Sequence, residues 1–212
     1  MTEHGVLAPE CGITNEAGAW RLKTLCATRS FCFWLNKGVD ALHYFDAYEN
    51  QATSFGLLPV NLKNLPSDAK FDAVATPPMR ALRNLTRAFA GGVPLAQTNA
   101  LAIEVTALGP QTKVFAGDAS HPPLWHREVL AVLPFQVSPT KHMVAVYVMT
   151  HNVTQPFAPA SFRLKISGAK GTHVTGYDPL DDESVPVAAN EGAGLLDITV
   201  PAADHPRLLI IE

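Results

Sequence analysis

Near residue 92 the spacing of apolar residues changes from a helical to a strand period. Upstream, Trp20, Leu22, Leu25, Cys26, Phe33 and Leu35 recur near 3.6 residues and predict a helix. Thr14 or Asn15 supplies its cap, and Asn36-Lys37-Gly38 gives a cationic last turn with a glycine stop. The run Val39 to Asp46 is rich in strand formers and predicts a short buried parallel strand, closed by polar Asp46, Glu49, Asn50 and Gln51. Pro77-Pro78 then open a second helix, Met79 to Ala90. Its Leu82, Leu85, Ala88 and Phe89 share one face, Arg80, Arg83 and Arg87 take the other, and Gly91-Gly92 stop it. Residues 47–76, between strand and second helix, show little periodicity.

Downstream of Gly92 the period is two. Leu101, Ile103 and Val105 alternate with Ala102, Glu104 and Thr106, and Phe162, Leu164 and Ile166 alternate with Arg163, Lys165 and Ser167. Further strands are expected at 111–116, 127–135, 142–150, 172–178, 184–188, 195–200 and 207–211, for a total of nine in two sheets. Met143 to Met149 is apolar on both faces and predicts a central strand, while Leu208 to Ile211 closes the core. The fold class implied is α+β, mostly β: an antiparallel β-sandwich over residues 93–212 behind a small N-terminal αβα layer over residues 1–92.

Composition narrows the function classes. With 47% hydrophobic residues and no bilayer-length apolar run, a soluble, cytoplasmic protein without a membrane partner is expected. A basic stretch followed by an apolar one is absent from the start of the chain, so no secretory signal is expected. The formal charge of −3 and the lack of Lys/Arg runs argue against nucleic acid. The three cysteines are odd in number, and Cys26 and Cys32 point to different faces of the first helix, which favours free thiols and a reducing compartment.

The strings Phe33-Trp34-Leu35-Asn36-Lys37-Gly38-Val39, Tyr44-Phe45-Asp46-Ala47-Tyr48 and Ser54-Phe55-Gly56-Leu57-Leu58, with the helix from Pro78 to Phe89, resemble the last βα repeat of a (β/α)8-barrel glycoside hydrolase. Leu133-Pro134-Phe135-Gln136-Val137, Val146 to Thr150 and Tyr177-Asp178-Pro179-Leu180 resemble the C-terminal β-sandwich that accompanies such barrels. The resemblance implies a truncated relative, because eight repeats need about 250 residues and only about one and a half precede the sandwich. It also implies that Glu10 falls where the nucleophilic glutamate of the seventh strand would lie, whereas the fourth-strand acid/base has no counterpart. Glycoside hydrolysis uses two carboxylates flanking one bond, so Asp46, Glu49 or another subunit would have to supply the second.

The candidate catalytic set is therefore Glu10, Asp46 and Glu49 with His43 as helper, since parallel strands present their C-terminal ends to one rim. Tyr48 and Trp125 are candidate sugar platforms. Asp118, His121 and His126, with Glu128 nearby, have the chemistry of a divalent metal site, and such an ion is the one cofactor considered. His142, His151, His173 and His205 stand alone near turns and read as surface residues. Cys11 has no evident base, and no Gly-x-Ser-x-Gly elbow or phosphate loop occurs. The leading expectation is a glycoside-hydrolase-like hydrolase or carbohydrate-binding protein. One alternative is a metal-dependent hydrolase of small esters or lactones, such as acyl-homoserine lactones. The other is a non-catalytic interaction module, because a parallel strand without neighbours favours a homo-oligomer.

Overall fold

Asn15 starts the first helix: its side-chain oxygen accepts the Gly18 N–H at 2.8 Å, and α1 runs Glu16–Asn36. The structure is a computed structural model and describes residues 4–46, 53–58, 67–68, 70, 74–150, 153, 157–192 and 194–212. Gly38, at φ +80°, ends the last turn in the left-handed region as the sequence predicts. The second helix, α2, spans Pro77–Ala88 and begins on the prolines themselves. The chain divides into two compact units, Met1–Ala88 with Val153–Pro156, and Phe89–Asn152 with Phe157–Glu212.

In the first unit α1 buries Ala19, Leu22, Leu25, Ala27 and Cys32, and α1 and α2 pack on each other. Lys23 is also fully buried: its ammonium donates to the Gly56 carbonyl at 2.6 Å and lies 4.4 Å from the centre of the Trp20 ring. Phe33 and Leu35, expected on the apolar face, are 38% and 45% exposed. At 3.6 residues per turn they lie about 80° to either side of Leu25, on the margins of the buried stripe. Phe89, expected on the second helix, falls beyond its end and belongs to the second unit, where it packs edge-to-face on Phe135 with 5.0 Å between centroids.

The expected strand over 39–46 is reduced to a single parallel bridge between His4 and Tyr44. His4 N–H donates to the His43 carbonyl at 3.0 Å and Phe45 N–H donates to the His4 carbonyl at 2.6 Å. Asp40, Ala41, His43 and Phe45 are exposed, so the run lacks the two covered faces that define a buried parallel strand.

The second unit is mostly β and its sheets are antiparallel. With strands numbered in chain order, one sheet has the order β1 (Ala102–Ala107), β6 (Ala160–Ser167), β10 (Leu195–Ala202), β9 (Ala188–Gly192). The other has the order β4 (Leu130–Gln136), β5 (His142–Val148), β11 (Arg207–Ile211), β7 (Val174–Asp178), β8 (Glu183–Val185). A two-stranded ribbon pairs β2 (Lys113–Phe115) with β3 (Leu124–Trp125). The sequence pattern does not show β3 or β9, because β3 has two residues and all five of β9 are exposed, leaving no alternation to read.

Between the two sheets Val144, Val146 and Val148 of β5 and Leu209 and Ile211 of β11 form one core with Phe162, Leu164 and Ile166 of β6 and Leu196, Ile198 and Val200 of β10. Every residue of β5 is buried, as expected of a strand apolar on both faces, and β11 is paired on both sides, by β5 and β7.

Candidate functional site

The expected catalytic residues lie in the first unit. The extended segment from His4 enters a short 3-10 turn, Ala8–Cys11, closed by Gly12 N–H donating to the Ala8 and Pro9 carbonyls, and Glu10 sits exposed on that turn. The parallel bridge to Tyr44 makes the two segments run in one direction, so Glu10 and Asp46 both come after the paired stretch, at its C-terminal end. Asp46 is half-buried, its carbonyl accepting the Leu57 N–H at 3.1 Å, and His43 is exposed. Tyr48 and Glu49 lie outside the described residues.

Behind the paired stretch is a cluster that the sequence does not reveal. The His4 ring nitrogen Nε2 lies 3.2 Å from Cys26 Sγ, and the His4 ring meets Tyr44 edge-to-face at 5.7 Å. Burial pushes the Cys26 thiol up to about 11 and the Cys32 thiol up to about 12, and it also lowers His4. A thiol held that far above neutrality stays protonated, so the pair is packing and not a thiolate–imidazole nucleophile. All three cysteines are free.

No family model matches this chain, and no curated protein matches it.

The expected metal ligands separate. Asp118 and His121 pair in an exposed loop, with His121 Nδ1 at 2.9 and 3.1 Å from the two carboxylate oxygens. His126 is instead buried, packed edge-to-face on Phe157 at 4.9 Å, with its pKa lowered by burial. Glu128 accepts the Trp125 N–H at 2.8 Å and so fastens a local turn. Among the described residues no three His, Cys, Asp or Glu side chains converge as metal ligands. Trp125 is half-buried, and the Lys113 ammonium lies 5.2 Å from its ring centre, so it is not a bare sugar platform.

Two histidines expected at the surface are buried. His142, the first residue of β5, is 1% exposed, and burial lowers its pKa. His205 is 8% exposed and is held between carboxylates. Its Nε2 lies 2.8 Å from Asp178 Oδ2, and its Nδ1 lies 3.4 Å from Asp204 Oδ1. Arg207 Nε donates to the same Asp178 oxygen at 2.9 Å, and the Leu180 N–H donates to Asp178 Oδ1 at 3.0 Å. The network fastens the end of β7 to the β10–β11 turn and to β11, which makes it a structural lock. Its partners are 27 and 29 residues apart, a separation at which no sequence period pairs them.

Among the described residues no helix is long and apolar enough to cross a membrane.

Proposed function

We propose that this chain is a glycoside-hydrolase-like protein directed at carbohydrate, with the rim that carries Glu10 and Asp46 as its site. The observation that carries the reading is the parallel bridge between His4 and Tyr44 on either side of α1. Parallel segments joined through a packed helix have the connection of a βαβ crossover, reduced here to one bridge, and among the described residues α2 is the helix that follows, in keeping with a (β/α) alternation. The antiparallel two-sheet unit then succeeds it in the order such enzymes use. In this reading Glu10 is the nucleophile, Asp46 or Glu49 is the carboxylate opposite it, and His43 assists at the rim.

The test is turnover of a panel of aryl glycosides by wild type and Glu10→Gln, with and without chelator. Wild type is expected to release aglycone, and Glu10→Gln to lose on the order of a thousandfold or more in kcat with KM little changed. Glycoside turnover that Glu10→Gln leaves intact would remove Glu10 from the mechanism. Metal-dependent ester or lactone hydrolysis has no gathered ligand set behind it among the described residues, and chelator-sensitive lactone turnover is what would restore it.

One observation favours a second reading, a non-catalytic interaction module that self-associates. Phe33, Leu35 and Phe45 of the first unit are 38%, 45% and 45% exposed, large apolar side chains of the kind that interfaces cover. In that case sedimentation gives a dimer or larger species, Phe33→Glu with Leu35→Glu returns it to monomer, and no glycoside is turned over. A wild-type monomer at micromolar concentration would dispose of this reading.

A further inference from the structure

The second unit holds a cavity of about 540 Å³ that is independent of the Glu10 rim. Its walls are Val114 and Phe115 of β2, Leu124 of β3, Pro122 of the intervening loop, and Val129 and Met149, whose backbones are joined by a 2.9 Å hydrogen bond from Met149 N–H to the Val129 carbonyl. Leu124 and Met149 are 37% and 48% exposed, so an apolar wall faces an open mouth. The volume lies within the range of small-molecule sites.

Asp118 and His121 also line this cavity and are its polar groups. Their geometry is set by the loop. Gly117 has φ +85°, and a Cβ there would come within 2.9 Å of Pro123 N, so the turn requires glycine. Asp118 Oδ1 then accepts the N–H groups of Ser120 and His121, each at 2.8 Å, and Asp118 N–H donates to the His121 carbonyl at 2.9 Å. Those N–H groups, with the His121 ring, hold the Asp118 carboxyl below the usual carboxylate range. An ionised carboxylate only accepts, so neutral His121 carries its proton on Nδ1, toward Asp118. Nε2 is left with a lone pair, the tautomer that an Asp–His pair imposes.

We infer that this cavity binds a neutral, largely apolar small molecule carrying one hydroxyl group, the hydroxyl donating to His121 Nε2 and the apolar body resting among Phe115, Leu124, Val129 and Met149. A sugar fits it poorly, since several hydroxyls would be buried against carbon. An alkylphenol has the required balance of one donor and a hydrophobic body.

The test titrates wild type with 4-butylphenol and, separately, with butylbenzene at about pH 8, tracking the methionine methyl resonances by NMR and measuring the affinity of every variant by titration calorimetry. The Met149 signal is expected to shift saturably with the phenol, and the phenol to bind about tenfold more tightly than the hydrocarbon, the worth of one hydrogen bond. Met149→Glu should weaken both ligands about tenfold by placing a charge in the apolar wall. His121→Ala should abolish the preference for the phenol while leaving butylbenzene binding unchanged. Both residues are exposed, so neither variant threatens the fold. No saturable Met149 shift up to solubility, binding indifferent to Met149→Glu, or a preference that survives in His121→Ala would each overturn the inference.

Discussion

Asp178→Ala is expected to lower the stability of the second unit by about 3–5 kcal/mol, the cost of breaking a buried ion pair from one side. Asp178 is 3% exposed, and its carboxylate serves both His205 and Arg207. Removing it takes away the carboxylate that the two side chains share, leaving His205 only the longer contact to Asp204 and Arg207 the Pro201 carbonyl to offset their burial. With domains stable by about 5–15 kcal/mol, urea midpoints would fall by about a fifth or more. Arg163→Ala, which breaks the Arg163–Asp197 pair at 3.4 Å with side chains 48% and 36% exposed, should cost less than about 1 kcal/mol in the same assay.

The pH dependence of the Asp178 effect is set by the two partners. Burial alone would raise the Asp178 pKa and lower that of His205, but their mutual hydrogen bond, with Arg207 and Asp204, reverses both shifts. Asp178 is depressed below its ordinary 3.8, so its contribution is full above that pH and is lost as pH falls through the folded value. His205 is raised above 6.5, so its contribution is full below 6.5 and is lost as pH rises through its folded value. The difference between wild type and Asp178→Ala should therefore be largest between those two limits and shrink on either side. A difference that keeps growing toward alkaline pH would show that His205 is not held as the cation.

Deleting Leu208 to Glu212 is expected to abolish folding of the second unit, with the product recovered in the insoluble fraction. Leu208, Leu209 and Ile211 are each at most 1% exposed, and at about 1.5–3 kcal/mol per buried side chain their loss approaches the whole stability of a domain. The deletion also removes β11 from between β5 and β7, exposing two strand edges where the native sheet has a continuous ladder. A milder variant, Leu209→Ala, should remain soluble and lose about 2–5 kcal/mol in urea denaturation. A soluble deletion product with native far-ultraviolet circular dichroism would contradict the central place of β11.

Local rules settle what is encoded locally. The cap at Asn15, the stop at Gly38 and the alternation of Phe162, Leu164 and Ile166 with Arg163 and Lys165 are short-range physics, and the structure keeps all of them. The same holds for β5, whose unbroken apolar run has one stable home, inside a sheet. The margins of α1 are harder to read, because Phe33 and Leu35 satisfy the helical period yet lie beside the stripe that α1 buries.

The mostly-β class, the helices over 16–36 and 77–88, the central strand and the apolar face of most strands are legible in the residue pattern alone, since each depends on periods of two or 3.6 within a dozen residues. Strand order, the reduction of 39–46 to one parallel bridge, the separation of His126 from Asp118 and His121, and the burial of His142 and His205 arise from packing between distant segments. Those features depend on which residues distant in the chain meet: Asp178 reaches His205 across 27 positions, and whether a histidine becomes a solvated side chain or the buried partner of a carboxylate rests on that encounter.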